Sequence, residues 1–229
     1  MQASLLIAID GPSASGKGTV AKKIAAHFKL PYLNTGALYR LVAFRVIAQK
    51  IAAENFAMDF GDTNSSANFE NLLDSLTQNI SESELENEEL FSETIGAVAS
   101  MIAKNPALRK KLFAFQQEFI ENGKRLQGGA VLDGRDTTTV ICPNAPYKFF
   151  ITANVEIRAQ RRFSQLQKQG KNITYEEILA QLKKRDENDL GRKDSPLLIA
   201  KDAVVIDNGN LTIEEGFLKI LNYIENTKI

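Results

Sequence analysis

The chain has 229 residues, 44% of them hydrophobic, which is enough to bury one substantial core carrying inserted subdomains. Basic and acidic residues number 28 each, so the formal net charge is zero and no overall field favours a nucleic-acid polymer or an anionic membrane. A single cysteine, Cys142, excludes an intramolecular disulfide.

The composition also bears on location and metal chemistry. The segment before Asp10 has neither a basic region nor a long apolar stretch of the secretory kind, and no apolar run reaches membrane-spanning length. We therefore expect a cytoplasmic protein that binds no membrane. His27 and Cys142 do not have the spacing of a metal site, so His27 is predicted on a helix surface and Cys142 as a small buried filler.

The first predicted elements are a strand, a glycine-rich loop and a helix. The apolar run Leu5–Ile9 precedes the loop, and an amphipathic stretch beginning at Val20 follows it. Glycines allow backbone N–H groups to surround a polyphosphate, the helix N-terminus adds its positive end, and Lys17 supplies a cation. The residues predicted to hold a nucleoside triphosphate are Gly11, Pro12, Ser13, Ala14, Ser15, Gly16, Lys17, Gly18 and Thr19.

Gly18 narrows the class of phosphate loop. It stands where most such loops place the hydroxyl residue that touches magnesium, and the hydroxyl comes one position later, at Thr19. We therefore expect Mg²⁺ to be held mainly through ATP and water. Thr19 is a phosphate contact and a weaker candidate for the metal, and the G-K-G-T form is typical of small kinases.

Four further apolar runs predict strands: Tyr32-Leu33, Ala130–Leu132, Lys148–Ile151 and Ala203–Ile206. They alternate with helical patterns, which predicts an α/β fold, a three-layer α/β/α sandwich around a five-stranded parallel sheet. Capping boxes predict helix starts at Thr174 and Thr212. The polar stretch Asp59–Asn68 is interpreted as a loop.

An apolar stripe and a set of arginines complete the pattern. Leu108, Leu112, Phe115 and Phe119 share one helical face, which indicates packing. Arginines with acidic neighbours stand at element ends: Arg40, Arg109, the turn Asp133-Gly134-Arg135-Asp136, and Arg185, Asp189 and Arg192. Each alone is consistent with a surface salt bridge. Together with a phosphate loop they favour a second, phosphorylated substrate.

The chain resembles the bacterial cytidylate kinases, a family of the nucleoside monophosphate kinase group with the P-loop kinase fold. The resemblance covers almost the whole length. The residues that match the family are Asp10–Thr19, Asn34–Arg40, Asp133–Asp136 with Thr139-Val140, and a C-terminal block of Arg185-Asp186, Asp189, Arg192, Pro196-Leu197, Ala200 and Asp202-Ala203.

The resemblance implies transfer of the ATP γ-phosphoryl group to CMP or dCMP. Positions matching Arg40 and Arg135 hold the monophosphate, and those matching Arg185 and Asp189 reach the sugar. Positions around cytosine match Thr35, Ser100, Arg109, Asp136 and Arg192, and the ATP-side and lid arginines match Arg158 and Arg162. With Lys17 and Asp133, Arg135 and Arg162 form the expected catalytic set.

Elementary chemistry agrees with this assignment. A carboxylate at Asp136 attracts the cytosine N4 amino group and repels the uracil O4 oxygen. The acceptor is itself a phosphate oxyanion, so cations are needed and a general base is not. Asp133, at the end of an apolar strand, either orders magnesium-bound water or holds a neighbouring arginine, and the sequence leaves both roles open.

The resemblance also implies an organisation: a core of about 1–35, 125–157 and 195–229, a CMP-binding insertion of about 36–124 and a lid of about 158–194. The chain departs from the family at Asn34, at Thr137-Thr138 and at Asn144. A kinase for UMP, AMP or a small metabolite, or a nucleotide switch that phosphorylates no acceptor, are the alternatives. A monomer is expected.

Overall fold

The computed structural model describes residues 4–57 and 63–227. Five parallel strands form one sheet in the order β2-β3-β1-β4-β5. The strands are β1 Leu5–Asp10, β2 Tyr32–Asn34, β3 Gly129–Gly134, β4 Tyr147–Thr152 and β5 Val204–Asp207. All five predicted strands are confirmed.

The sheet is buried on both faces. Ile7 and Ile9 point to one side of β1 and Ala8 to the other, and all three are fully buried. On the first side, Ile7 and Ile9 join a core cluster with Val20 and Ile220 from two helices. Burial of both faces is the condition for the three-layer α/β/α arrangement of the P-loop kinase fold, which confirms the predicted fold class.

The register aligns the carboxyl ends of β1 and β3. Asp10, the last residue of β1, pairs with Gly134 of β3 and with Phe150 of β4. The loops that follow β1 and β3 therefore leave the sheet side by side, and this edge is where ligands bind in open α/β sheets.

The helices are α1 Lys17–Phe28, α2 Thr35–Ala48, α3 Thr63–Thr77, α4 Glu82–Leu85, α5 Glu93–Ile102, α6 Pro106–Gln127, α7 Val155–Lys168, α8 Tyr175–Leu190 and α9 Ile213–Asn226. Both predicted capping boxes are confirmed, since Thr174 and Thr212 each accept from the N–H of the glutamate three residues on. Leu108 and Leu112 of α6 are fully buried, which confirms the predicted packing face.

The chain divides into two compact units, one of Met1–Leu33 with Phe119–Ile229 and one of Asn34–Glu118. After Asn34, the last residue of β2, the regular elements described in the second unit are helices and short 3-10 turns at Ala53–Ala57 and Glu88–Phe91. The predicted loop over 59–68 is wrong for residues 63–68, which begin α3, and residues 59–62 lie outside the described residues. Leu73 and Leu76 are buried and hold this helix against the core. Its polar first turns are helical because they continue the same helix.

Within residues 4–57 and 63–227, no helix is long and apolar enough to cross a membrane.

Candidate active site

Close packing requires the loop glycines after β1. A Cβ on Gly11 would lie 2.0 Å from the carbonyl oxygen of Ile151, so a side chain has no room there. Gly16, the N-cap of α1, has a φ of 89°, and a Cβ on it would lie 2.7 Å from Asn208 Nδ2. The Gly11–Thr19 segment therefore leads its backbone into the N-terminus of α1 without side chains at its two tightest points.

Asn208 is a site residue that sequence reasoning missed. It follows β5, and its buried side chain donates from Nδ2 to the Ser15 carbonyl at 2.9 Å. Among the described residues, neither Asn208 Oδ1 nor the buried Ser15 Oγ has a hydrogen-bond partner. A polar residue just beyond an apolar strand was the available signal, but its contact depends on the sheet order.

Lys17 is buried at the first turn of α1 and is 9% exposed. Its Nζ donates to the Pro12 carbonyl at 3.3 Å, within the loop. Burial, followed by the positive charge of Arg135, lowers the Lys17 pKa to about 7. The pKa shows that the neighbouring carboxylates do not fully compensate the buried ammonium, so an incoming polyphosphate would stabilise its charge.

Asp133 lies on β3, and its side chain is almost completely buried at 2% exposure. The Tyr32 phenol donates to Asp133 Oδ1 at 2.5 Å. Burial raises the Asp133 pKa, and the charge of Lys17 and the Tyr32 hydrogen bond oppose that rise. A Cβ on Gly18 would lie 3.7 Å from Asp133 Oδ2, so the carboxylate lies beside the first turn of α1.

Arg135 and Arg192 form a charge cluster around the buried Asp189 carboxylate. Arg135 Nε donates to Asp189 Oδ2 at 2.7 Å, and an Arg192 terminal nitrogen donates to Asp189 Oδ1. Burial alone would raise the Asp189 pKa, but the guanidinium groups of Arg135, Arg192 and Arg185 outweigh it and hold the pKa below its usual value. Three of the predicted substrate residues are therefore hydrogen-bonded together, and Arg185 acts on the same carboxylate through its charge, so guanidinium groups are in the majority.

Asp136 is buried and stands at the N-cap position of a single π-helical turn, Thr137–Ile141. Asp10, the last residue of β1, holds this turn by accepting from the N–H groups of Thr137 and Thr138 at 2.9 and 2.7 Å. The Thr138 hydroxyl adds a third bond to Asp10, at 2.6 Å. Burial raises the Asp10 pKa, while these hydrogen bonds oppose the rise. The departure from the family at Thr138 thus has a buried partner.

Arg158, predicted as an ATP-side residue, is buried and bonded to the protein. It donates to the Ser13 carbonyl at 3.1 Å and to the Ala153 carbonyl at 2.8 Å, and it pairs with Asp186 at 2.6 Å. This side chain joins the phosphate loop to α7 and α8. Arg162 lies on α7, where its guanidinium group donates to Gln165 Oε1 at 3.0 Å.

A pocket of about 510 Å³ adjoins the phosphate loop. Its lining includes Gly16, Thr19, Arg162 and Ile213. Arg161 also lines it and was missed by sequence reasoning; its guanidinium group donates to the Asn208 and Gly209 carbonyls at 2.6 and 3.0 Å. Its size and its position beside the loop suit a nucleoside.

The second unit carries Arg40 and Thr35. Thr35 is the buried first residue of α2. Arg40 donates from one terminal nitrogen to the carbonyls of Leu90 and Ser92, at 2.6 and 3.2 Å. A Cβ on Gly96 would lie 2.9 Å from the Arg40 guanidinium group, so the glycine makes room for it.

Ser100 and Arg109 also belong to the second unit. Ser100 is half-buried on α5. Arg109, on α6, donates to the Ala103 carbonyl at 3.2 Å and places its guanidinium carbon 5.8 Å from the centre of the Tyr39 ring. Both partners belong to the second unit, so these contacts fix the side chain within its own unit.

Neither the histidine nor the cysteine lies in the surroundings of a reactive side chain. His27 is exposed on α1 beside the Phe28 and Phe217 rings, and Cys142 is buried, with its pKa raised to about 12 by that burial. Both predictions are confirmed. In the described part of the chain, no group of three or more His, Cys, Asp or Glu side chains could hold a metal ion.

Comparisons with known proteins agree with this geometry. The family model described as cytidylate kinase matches residues 7–226. A cytidylate kinase of Bartonella bacilliformis is 42% identical over 221 residues, covering 96% of this chain and 94% of its own. One of Azorhizobium caulinodans is 41% identical over 224 residues, covering 98% and 100%.

A solved structure of an uncharacterized protein from Eubacterium ventriosum shares the fold, with a TM-score of 0.51 at 16% identity, covering 97% of this chain and 99% of that one. The family model spans far more than half of the sequence, and the two relatives match nearly end to end. The chain belongs to the cytidylate kinase family.

Proposed function

We propose that this member of the cytidylate kinase family transfers the γ-phosphoryl group of ATP to CMP or dCMP, giving ADP and CDP or dCDP. The observation that carries the proposal is the cluster at the carboxyl edge of the sheet. There, the buried Lys17 lies within electrostatic range of Arg135 and Arg185 and of the buried carboxylates Asp133 and Asp189. Such a cluster suits the approach of two polyanions.

ATP is the donor in this proposal. The backbone N–H groups of the Gly11–Thr19 loop and the N-terminus of α1 would hold its phosphates, with Lys17 at the outer ones. The nucleoside would enter the pocket lined by Arg161 and Arg162. Arg158 acts from behind the loop, because its hydrogen bond to the Ser13 carbonyl fixes the loop backbone.

Magnesium fits the oxygen donors beside Gly18. Asp133 offers a buried carboxylate there, and Thr19 offers a hydroxyl in the same turn of α1. Hard oxygen ligands of this kind are what Mg²⁺ takes, usually keeping several waters. When bound, the ion would neutralise charge on the phosphates.

The acceptor residues are proposed from each unit. Arg135 and Arg40 would bind the monophosphate, and Arg185 with Asp189 would contact the sugar. Asp136 would accept a hydrogen bond from the cytosine amino group, with Thr35, Ser100, Arg109 and Arg192 as the remaining base contacts. The Asp10-bound turn supports this role for Asp136, because it fixes the backbone directly after that residue.

The chemistry requires alignment and charge compensation. A phosphate oxygen of CMP bonds to the γ-phosphorus of ATP, and the bond from that phosphorus to the β–γ bridging oxygen breaks as ADP leaves. The nucleophile is already an oxyanion, so no side chain removes a proton. Lys17, Arg135 and Arg162 would stabilise the charge on the transferring group.

The segment 158–194 is proposed as a lid that excludes water during transfer. It contains most of α7 and all of α8, which pack through Ala159, Leu166, Ile178 and Leu182 around their own small core. The turn between the helices contains Gly170 with a φ of 71°. A helical hairpin with its own core can move as one body, which is what a lid requires.

An acceptor panel tests the proposed function. ADP release is measured with ATP and Mg²⁺ and one of CMP, dCMP, UMP, AMP or no acceptor. We expect turnover to depend on an acceptor and kcat/KM to be highest for CMP or dCMP. Preference for UMP or AMP would support another monophosphate kinase, and ADP release without any acceptor would support a nucleotide switch.

A further inference from the structure

Tyr32 and Asp133 form a cross-strand pair at the site. Tyr32 lies on β2, which neighbours β3 in the sheet, and its phenol donates to Asp133 Oδ1 at 2.5 Å. Asp133 is 2% exposed. A short hydrogen bond from a neutral donor to a buried carboxylate restricts the rotation of that carboxylate.

The pair borders the phosphate loop at Gly18. A Cβ on Gly18 would lie 3.6 Å from the Tyr32 phenol oxygen and 3.7 Å from Asp133 Oδ2. The two side chains therefore line the first turn of α1 at the position where most phosphate loops carry a hydroxyl residue. Tyr32 is outside the motifs that relate the chain to its family.

We propose that Tyr32 is a positioning residue that holds the Asp133 carboxylate against the first turn of α1, where it orders magnesium-bound water. The proposal rests on the kinase function proposed above. By holding Oδ1, the phenol fixes the direction in which Oδ2 faces Gly18. The sequence leaves two roles open for Asp133, and this proposal assigns it the ordering of magnesium-bound water rather than the holding of an arginine.

The test compares Tyr32→Phe with Tyr147→Phe. Tyr32→Phe removes one donor and keeps the ring, which has Lys22 at 5.7 Å from its centre. Tyr147 is the control, because it is a tyrosine of the core cluster against which Tyr32 packs, and its hydroxyl also donates one hydrogen bond, to the Thr227 carbonyl at 3.0 Å. Each protein is titrated with ADP by calorimetry, once in EDTA and once with excess Mg²⁺.

For Tyr32→Phe we expect ADP affinity in EDTA equal to that of the wild type, and a loss of about tenfold in Mg²⁺-dependent affinity, as partners of metal ligands usually show. The kcat for CMP should fall by about the same factor and the half-saturating Mg²⁺ concentration should rise, with little change in the KM for CMP. Tyr147→Phe should match the wild type in all of these. Wild-type Mg²⁺ dependence in Tyr32→Phe, or equal losses of ADP affinity with and without Mg²⁺, would overturn the proposal.

A double-mutant cycle with Asp133→Asn gives a second readout if Tyr32→Phe is poorly stable. Tyr32→Phe should cause no further loss of Mg²⁺-dependent ADP affinity in the Asp133→Asn background, because the group it positions is gone. Additive losses would contradict the inference. The ADP titrations need no acceptor, so they decide the role of Tyr32 even if CMP proves not to be phosphorylated.

Discussion

The arginine side chains of the two units have different kinds of hydrogen-bond partner. Around the phosphate loop, Arg135 and Arg192 share the buried carboxylate of Asp189. In the second unit, Arg40 and Arg45 donate mainly to backbone carbonyls. The first arrangement keeps guanidinium groups in a charged cluster that can receive an anion. The second ties short helices and turns of that unit together.

The largest expected effect is on the cluster at the loop. Lys17→Met should lower kcat/KM for CMP by about 100- to 1000-fold, because a preorganised cation is lost from the transferring phosphate. The melting temperature should not fall, since the buried ammonium, with its pKa lowered to about 7, gains little from its surroundings. Steady-state kinetics and thermal unfolding measure the two effects. Activity within about tenfold of the wild type would contradict the assigned role.

Arg45→Met breaks the carbonyl-bound arrangement. Arg45 donates to the Leu76 and Gln78 carbonyls at the end of α3, at 3.0 and 2.9 Å, and pairs with Glu84 at 2.7 Å. Losing these bonds should cost about 2 kcal/mol of unfolding free energy in urea titrations. Lys104→Met, at an exposed position of the same unit, is the control and should cost almost nothing. Equal stability of both variants would show that the Arg45 contacts do not hold this unit together.

Asp136→Asn tests whether the charge cluster's unit also selects the base of the acceptor. The amide no longer attracts the cytosine amino group through a full charge and no longer repels the uracil oxygen, so the preference for CMP over UMP should narrow by about tenfold. The measurement is kcat/KM for both acceptors in both proteins. An unchanged ratio would remove Asp136 from base recognition.

The smallest expected effect is the uptake of a fraction of a proton when ATP binds. With a pKa of about 7, Lys17 is largely neutral at pH 8 in the ligand-free protein. A bound polyphosphate favours its charged form, so ATP binding at pH 8 should take up protons, and the uptake should disappear towards pH 6. The charged groups that act most strongly on the Lys17 pKa are Arg135, Asp133, Arg185 and Asp189.

Calorimetry in buffers of different ionisation enthalpy measures this uptake. Lys17→Arg is the control, because arginine stays charged across this range and should show none. Uptake that persists in Lys17→Arg would assign the proton to another group.

Local patterns predicted the parts of the fold that are local. Continuous apolar runs marked all five strands, and the glycine spacing marked the loop whose packing now explains Gly11 and Gly16. The start of α3 was wrongly predicted as a loop because its residues are polar. The buried leucines that hold this helix, Leu73 and Leu76, come later in the chain.

The missed site residues depend on the sheet order. Asn208 bonds Ser15 across 193 positions, and Tyr32 meets Asp133 across 101. Both contacts exist because neighbouring strands and loops meet at one edge, and no spacing in the sequence encodes that order. Arg161 was missed for the same reason, since the carbonyls it binds lie in the loop after β5.

The central claim is that the phosphoryl group passes from ATP to CMP on this protein. The most direct measurement follows the label from [γ-³²P]ATP after a brief incubation with Mg²⁺ and CMP, with products separated by chromatography. We predict label in CDP, absent when CMP is omitted and strongly reduced in Lys17→Met. Label that appears as inorganic phosphate at the same rate with or without CMP would contradict the account.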